Sequence, residues 1–475
     1  MEYRPFPEER EDEFRAFMRY AFSPEQGPYD PESEDDDREH LADYRGLFDG
    51  DDTVAVCGHH EFSLRIRGAD RTAAGLSAVA SPPEHRRQGN VERLLRESLS
   101  EYREDGVQFS VLWPFEYGFY RKYGWATVSR YRHVEIPPEQ LRFVDGAIAR
   151  ATGADRRTGA SGASGTSGVG GTRRASGPTG RFRRLDADDH AAARSVLSAM
   201  ADRYDFTMAR TEPWWRERSL RGWKTDPFVY GWERDGELRA FWSYTFEDGP
   251  DDERVMTVRD VAAVDEEAWL HALRFCRDHD SQVGTVRIRA PPDANLQDRV
   301  ADPREVTVES RTGPMFRLVD VPGAFESIAP DPRLDGSVTL AVDDPLAAWN
   351  DRTFLIAVED GRVSVETLGA STAGGEGVDD TINNEVDDGV DADLRVGIGT
   401  LSQLYAGYHS VGEATEFGDL TRRGTADDER DDDASGDDDE VTADDDEVTA
   451  GATRSALDDL HALLPPRRTF LREGF

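Results

Sequence analysis

The chain has 475 residues, with 57 Lys+Arg against 96 Asp+Glu and a formal net charge of −39. That balance excludes a duplex nucleic-acid binder, because affinity for phosphate backbones rests on cationic surface. Nearly all the basic residues are Arg, with Lys122 and Lys224 the two lysines, a usage that suits a halophilic protein kept soluble in high salt.

At about 100–200 residues per domain, the length predicts roughly two to four domains with cores of their own. In chain order, Glu11 to Phe22 reads as a helix carrying Phe14, Phe17, Met18 and Phe22 on one face. Strands are predicted at Thr53–Cys57, Phe62–Ile66 and Ala74–Ala80, a helix at Asn90–Tyr102 and a strand at Phe109–Leu112, which together make an α/β unit over residues 1–147. Residues 148–180, rich in Gly and Ser, read as a linker. A second unit of similar style spans 181–310: helices at Asp188–Tyr204 and Glu266–Asp278, and strands at Phe228–Glu233, Leu238–Thr245, Val255–Val261 and Thr285–Ile288. Five of its tryptophans, Trp214, Trp215, Trp223, Trp232 and Trp242, with Phe228, read as its core or an interface.

The third unit, 311–475, is α+β. Strands at Val338–Val342, Phe354–Val358 and Val363–Glu366 include a hairpin turn at Asp360-Gly361, and helices follow near Thr400–Tyr408 and Ser455–Leu464. Two acidic insertions, 371–393 and 421–452, interrupt it. Residues 376–393 carry −8 and residues 427–447 carry −13 of the total charge, so just over half of it sits in segments with little to bury. A heptad, Asp437 to Ala443, is repeated at 444–450, but four adjacent acids and one apolar position cannot form a coiled-coil seam.

No apolar signal core follows Met1 and no run approaches the ~20 apolar residues of a membrane span. The two cysteines, Cys57 and Cys276, are far apart and lack metal-ligand spacing. The expectation is a cytoplasmic protein with reduced thiols, no metal and no membrane contact. His59, His60 and His85 belong to no catalytic or ligating pattern and read as surface or hydrogen-bonded histidines.

One turn carries chemistry. After the small-residue strand comes Ser81-Pro82-Pro83-Glu84-His85-Arg86-Arg87-Gln88-Gly89, and a helix starts at Asn90. A helix N-terminus offers unpaired N–H groups and about half a positive charge, and Gly89 lets the backbone approach an anion. Such a turn can hold a pyrophosphate; a solvated basic turn is the bland alternative. It is neither a Walker loop nor the G-x-G-x-x-G fingerprint.

Val79-Ala80 before the turn, Arg86-Arg87-Gln88-Gly89 within it, and Phe119-Tyr120-Arg121-Lys122-Tyr123-Gly124-Trp125 downstream resemble the GNAT acetyltransferase superfamily, and within it the Eis (enhanced intracellular survival) N-acetyltransferases. The resemblance implies two tandem GNAT-like domains, the second degenerate, and a sterol-carrier-protein-like domain. It places acetyl-CoA on the backbones of Val79, Ala80 and Ser81, with Arg87, Gln88, Gly89, Asn90, Val91 and Glu92 around the pyrophosphate and Phe115 and Glu116 beside the distal part. The chain departs from the family at Asn90 and Glu92, where apolar or basic residues are commoner, and at Phe115, which replaces a small polar residue. Glu92 is an electrostatic objection to a bound pyrophosphate, one that salt would screen, since the Debye length is ~3 Å at 1 M.

The resemblance further implies Tyr120 as the general acid that protonates the CoA thiolate, and the C-terminal carboxylate of Phe475 as the general base. The acceptor is then a small-molecule or lysine-type amine, and the protein a homo-oligomer, hexameric by resemblance. A non-catalytic acyl-CoA or lipid-binding protein, using the sterol-carrier-like domain, is the rival reading.

Overall fold

The computed structural model describes residues 1–32, 40–152, 180–222, 225–250, 253–370, 391–422 and 455–475. Residues 153–179 of the expected linker, most of both acidic insertions with the repeated heptad, and Trp223 lie outside the described residues.

The first unit contains β1 (Glu2–Pro5), α1 (Glu11–Phe22), β2 (Asp43–Asp49), β3 (Asp52–Ile66), β4 (Ala69–Ala80), α2 (Asn90–Glu104), β5 (Phe109–Leu112), α3 (Tyr117–Arg121) and β6 (Ala126–Thr127). Glu11, Asp12 and Glu13 in the first turn of α1 and Arg19 in its last complement the helix dipole. Phe14 is buried against Phe6 and Phe48, whereas Phe22, at the helix end, is exposed. The two strands expected at 53–57 and 62–66 are one: β3 continues through His59 and His60, whose rings are buried. A strand covered on both faces tolerates this pair because hydrogen bonds satisfy both rings, as described below.

β7 (Arg130–Ile136) and α4 (Phe143–Ala151) follow, so the first residues of the expected linker are helical. The second unit continues with β8 (Arg181–Arg184), α5 (His190–Ala201), β9 (Phe228–Arg234), β10 (Glu237–Asp248), β11 (Arg254–Ala263), α6 (Glu266–Arg277), β12 (Thr285–Ala290), β13 (Thr307–Thr312) and β14 (Met315–Leu318). Trp215, Trp232 and Trp242 are core residues, but Phe228 is 41% exposed.

The sheet orders are β1-β2-β3-β4-β5-β14-β6 and β13-β7-β12-β11-β10-β9-β8. Each half of the molecule therefore completes the other's sheet: β14 enters between β5 and β6, and β7 enters between β12 and β13. Residues 130–136 of the block read as 1–147 thus belong to the second sheet, and 315–318 of the block read as 311–475 to the first. Where the two segments cross, the Gly313 N–H donates to the Ser129 carbonyl at 2.7 Å, and a Cβ on Gly313 would lie 2.9 Å from that oxygen. Only glycine permits so close a crossing.

The third unit has a five-stranded sheet, ordered β17-β16-β15-β18-β19, from β15 (Gly336–Asp343), β16 (Arg352–Glu359), β17 (Arg362–Ala370), β18 (Leu394–Gly397) and β19 (Leu420–Arg422). Asp360 and Gly361 turn the β16–β17 hairpin with φ of 51° and 70°, as the sequence signal requires. Helices Ile398–Ala406 and Ala456–Leu463 cover this sheet, the latter capped by Ser455 and Asp458 in a reciprocal capping box.

Candidate active site

β4 and β5 run parallel only while Ala74, Gly75 and Leu76 face Ser110, Val111 and Leu112. Beyond Leu76, Ala78 takes φ of 53° and the β3–β4 register shifts between Gly58 and Val56. A left-handed alanine costs about 1 kcal/mol or more, and such a bulge bends its strand. Here it carries Val79 and Ala80 away from β5. Ser81 is then pinned by its Oγ, which donates to the Val54 carbonyl at 2.7 Å.

The basic turn closes on itself. Asn90 Nδ2 donates to the His85 carbonyl at 3.1 Å, Gln88 Nε2 to the Glu84 carbonyl at 3.0 Å, and Arg86 Nε to the Ser81 carbonyl at 3.2 Å. Arg87 and Gly89 are left-handed, with φ of 59° and 79°. Gly89 occupies the N-cap of α2 and no side chain caps that helix, so the first-turn N–H groups stay available to a ligand. The buried Asn90 braces the turn. Glu92, the apparent objection, is drawn down the helix: its carboxylate meets Arg96 at 3.0 Å and accepts from the Tyr123 hydroxyl at 3.2 Å. Arg86 and Arg87 of the turn are exposed.

The second unit shows what the first leaves open. Its parallel pair, β11 and β12, is joined by a helix whose N-cap is Asp265, and that carboxylate accepts from the Ala268 N–H at 2.9 Å. An anion supplied by the chain itself occupies the position a phosphate would take.

Phe115 and Glu116 are exposed at the end of the loop after β5. The Phe115 ring meets the Phe119 and Tyr120 rings, each with centroids 5.3 Å apart. Tyr120, on α3, is 3% exposed. Burial, with a smaller contribution from Cys57, pushes its phenol above the ordinary value, so it stays protonated throughout the neutral range.

The C-terminal segment is held continuously. The Phe470 N–H donates to the Asp205 carbonyl at 2.9 Å and the Leu471 N–H to Ser129 Oγ at 3.2 Å. Arg210 grips the Glu473 carboxylate through Nε at 3.0 Å and Nη2 at 2.9 Å, while Trp113 Nε1 donates to the Glu473 carbonyl at 2.6 Å. Trp113 immediately follows β5. The half-buried Phe475 ring then sits edge-on to His60 at 5.7 Å and Phe62 at 4.7 Å, both on β3. Trp214 joins this group at 5.4 Å from Phe62, so it serves the junction between units and not the second core.

The fold thus gathers 79–92 and 115–120 at the open end of the first sheet and brings the tail to the residue that leaves β5. Trp113 and Arg210, which hold the tail, were not legible in that role from the sequence. The one available signal was the charged pair Arg472-Glu473 directly after apolar Phe470-Leu471.

His59 and His60 are neutral parts of this framework. His59 Nε2 is 3.0 Å from Ser98 Oγ; His60 contacts the Leu41 carbonyl and Ser77 Oγ, both at 2.9 Å. Burial lowers both to about 4, against ~6.5 unfolded. Between these values the unfolded chain binds protons that the folded chain refuses, so stability falls as pH falls from about 6.5 to about 4, by on the order of 3 kcal/mol per histidine. Thermal unfolding at pH 7 and pH 5 checks this: His60→Gln is expected to lose less between the two than the unmodified chain, and equal losses contradict it.

Three family models match the chain. Residues 2–128 and 207–318 each match an acetyltransferase (GNAT) domain, and residues 321–437 a sterol carrier protein domain. The first two ranges end just before β7 and at the end of β14, where the sheets exchange strands. An uncharacterized N-acetyltransferase of Streptomyces griseus is 27% identical over 394 residues, covering 80% of this chain and 83% of the relative. Another from Streptomyces avermitilis is 24% identical over 354 residues, with coverage of 70% and 79%. Among solved structures, a GCN5-related N-acetyltransferase from Anabaena variabilis superposes with a TM-score of 0.69 at 16% identity, and Eis1 from Mycobacterium abscessus with 0.64 at 18%, each covering 100% of both chains. These structural matches share the fold. Among the described residues no helix is long and apolar enough to cross a membrane, and no cluster of three or more His, Cys, Asp or Glu side chains could hold a metal. The chain is an N-acetyltransferase with two GNAT acetyltransferase domains followed by a sterol carrier protein domain, and it shares its fold with Eis1.

Proposed function

We propose that the protein moves an acetyl group from acetyl-CoA directly onto an amine at the open end of the first sheet. The observation that carries this reading is the uncapped start of α2 beside the bulged, diverging end of β4, set against the second unit, where Asp265 fills the same position. The residues present suit the co-substrate: backbone groups of Val79, Ala80 and Ser81 for the pantetheine amides, Arg87 through Glu92 for the pyrophosphate, Phe115 and Glu116 for the distal part. Acetyl-CoA supplies an activated acetyl group on a thiol of ordinary pKa about 8.5.

Tyr120 Oη donates its proton to the departing sulfur as the amine nitrogen bonds the carbonyl carbon. Phe475 is the proton acceptor on the amine side. An α-carboxylate at ~3.5 facing an alkylammonium at ~10.4 leaves roughly 9 kcal/mol against direct transfer, so the carboxylate chiefly holds the ammonium and passes its proton through water. The acceptor class is a cationic amine, such as a polyamine, a lysine side chain or an aminoglycoside-like molecule, drawn to an acidic protein. The assembly is a homo-oligomer, a hexamer by the same resemblance, and its acid-rich surface suits high salt.

Release of free thiol from acetyl-CoA in the presence of a polyamine panel tests the enzyme. Tight binding without release would support the rival lipid or acyl-CoA carrier instead. Gly89→Asp, which sets a carboxylate at the N-cap position of α2, is expected to raise KM for acetyl-CoA by about tenfold or more through one added charge at the pyrophosphate position, leaving kcat nearly unchanged. An unaltered KM would place the cofactor elsewhere.

A further inference from the structure

The second acetyltransferase domain has lost the open helix start, yet it holds the most heavily buried charge cluster near the tail. Arg210 Nη1 lies 2.6 Å from Asp260 while its Nε and Nη2 hold Glu473. Arg472 Nη1 donates to the Val261 carbonyl at 2.9 Å and lies 3.8 Å from Asp260. Arg289, on β12, is stacked between the Tyr131 and Trp113 rings at 4.3 and 5.1 Å. Arg210, Arg472 and Glu473 are 4%, 5% and 4% exposed. Burying such charges is unfavourable unless they are mutually paired, so a role other than stability is the natural reason for them.

Two features tie this cluster to the site. Glu473 is a staple: its side chain belongs to Arg210 of the second domain and its carbonyl to Trp113 of the first. The cluster is also short of negative charge, with three guanidiniums against the carboxylates of Asp260 and Glu473, and Arg289 and Arg472 each keep Nε and Nη2 without a hydrogen-bond partner among the described residues. A further anion stands two residues on, at the chain's end.

We infer that Arg210, through Glu473, and Trp113 are positioning residues that fix the carboxylate of Phe475 for catalysis, an assignment that rests on the role proposed above for that carboxylate. The degenerate domain serves the first domain's chemistry as a clamp on its proton acceptor. The clamp has two residues of slack, Gly474 and Phe475, and the Phe475 ring takes up that slack against His60 and Phe62.

In the full chain, Arg210→Met is expected to lower kcat about 10²-fold, the consequence of roughly 1 Å of misplacement, with KM for acetyl-CoA unchanged. Should that variant fold poorly, Trp113→Phe, which keeps a ring and loses one donor, is expected to lower kcat about tenfold. Appending a few residues after Phe475 displaces the carboxylate outright. In that extended chain neither substitution is expected to lower kcat further, a non-additivity that mere destabilisation would not produce. Losses that multiply, or substituted chains with unmodified kcat, overturn the clamp. A different result, an extended chain as active as the unmodified one, overturns the role of the carboxylate itself.

Discussion

Tyr120→Phe is expected to reduce kcat by about 10²–10⁴-fold, the usual contribution of a positioned acid, while KM for acetyl-CoA and the thermal midpoint stay near their original values. The separation follows from packing. The ring is 3% exposed and sits against Phe115, Phe119 and Trp125, with centroids 5.3, 5.1 and 6.2 Å away. Phenylalanine keeps these contacts and removes only Oη, which in the proposed role acts in the transition state and not in binding. Because burial raises the phenol above its ordinary value, the alkaline limb of kcat assigned to this group lies above pH ~10. Retained turnover in the variant would remove Tyr120 from the acid's role. A fall in thermal midpoint with unchanged kcat would make it a core aromatic only.

Asp344→Ala is expected to destabilise the protein by about 3–5 kcal/mol, because it strands a buried cation. Arg317, in the middle of β14, and Asp344, just after β15, both have fully buried side chains, with Arg317 Nη2 at 2.7 and 2.6 Å from the two carboxylate oxygens. Asp344 also accepts from the Leu346 and Ala347 N–H groups, each at 3.0 Å. Arg317 donates in turn to the Tyr123 carbonyl and packs over Trp125. The pair therefore joins the borrowed strand, the third unit and the segment following α3. Thermal unfolding reads the loss directly. The double variant Arg317→Met/Asp344→Leu is expected to recover most of it, since an apolar pair of similar volume carries no desolvation cost. A change within about 0.5 kcal/mol for Asp344→Ala would show that water or a neighbour relieves the guanidinium.

Local elements were largely legible because their signals are local. The 3.6-residue spacing in α1 and α2, the alternation in β15 to β17, and Asp360-Gly361 all act within a few residues of chain. The basic turn was legible for the same reason, since a glycine at the N-cap and the strand before it are sequence neighbours. β3 was divided in two because His59-His60 reads as polar, and only Ser98, Ser77 and the Leu41 carbonyl, from distant positions, make those rings compatible with a core. β14 passed unmarked because a four-residue run with an arginine at its centre resembles no strand until Asp344 neutralises it.

Composition and local pattern by themselves determined the three units, the acidic insertions that hold just over half of the −39 charge, the basic turn before α2 and the family. Tertiary structure decided what no local signal encodes: that the two acetyltransferase domains exchange β7 and β14, and that Arg210 and Trp113 seize a tail more than 260 residues further along the chain. The physical reason is the same in each case. Burying a charge or an unpaired backbone edge is unfavourable until its partner arrives, and in this protein the partners come from other domains.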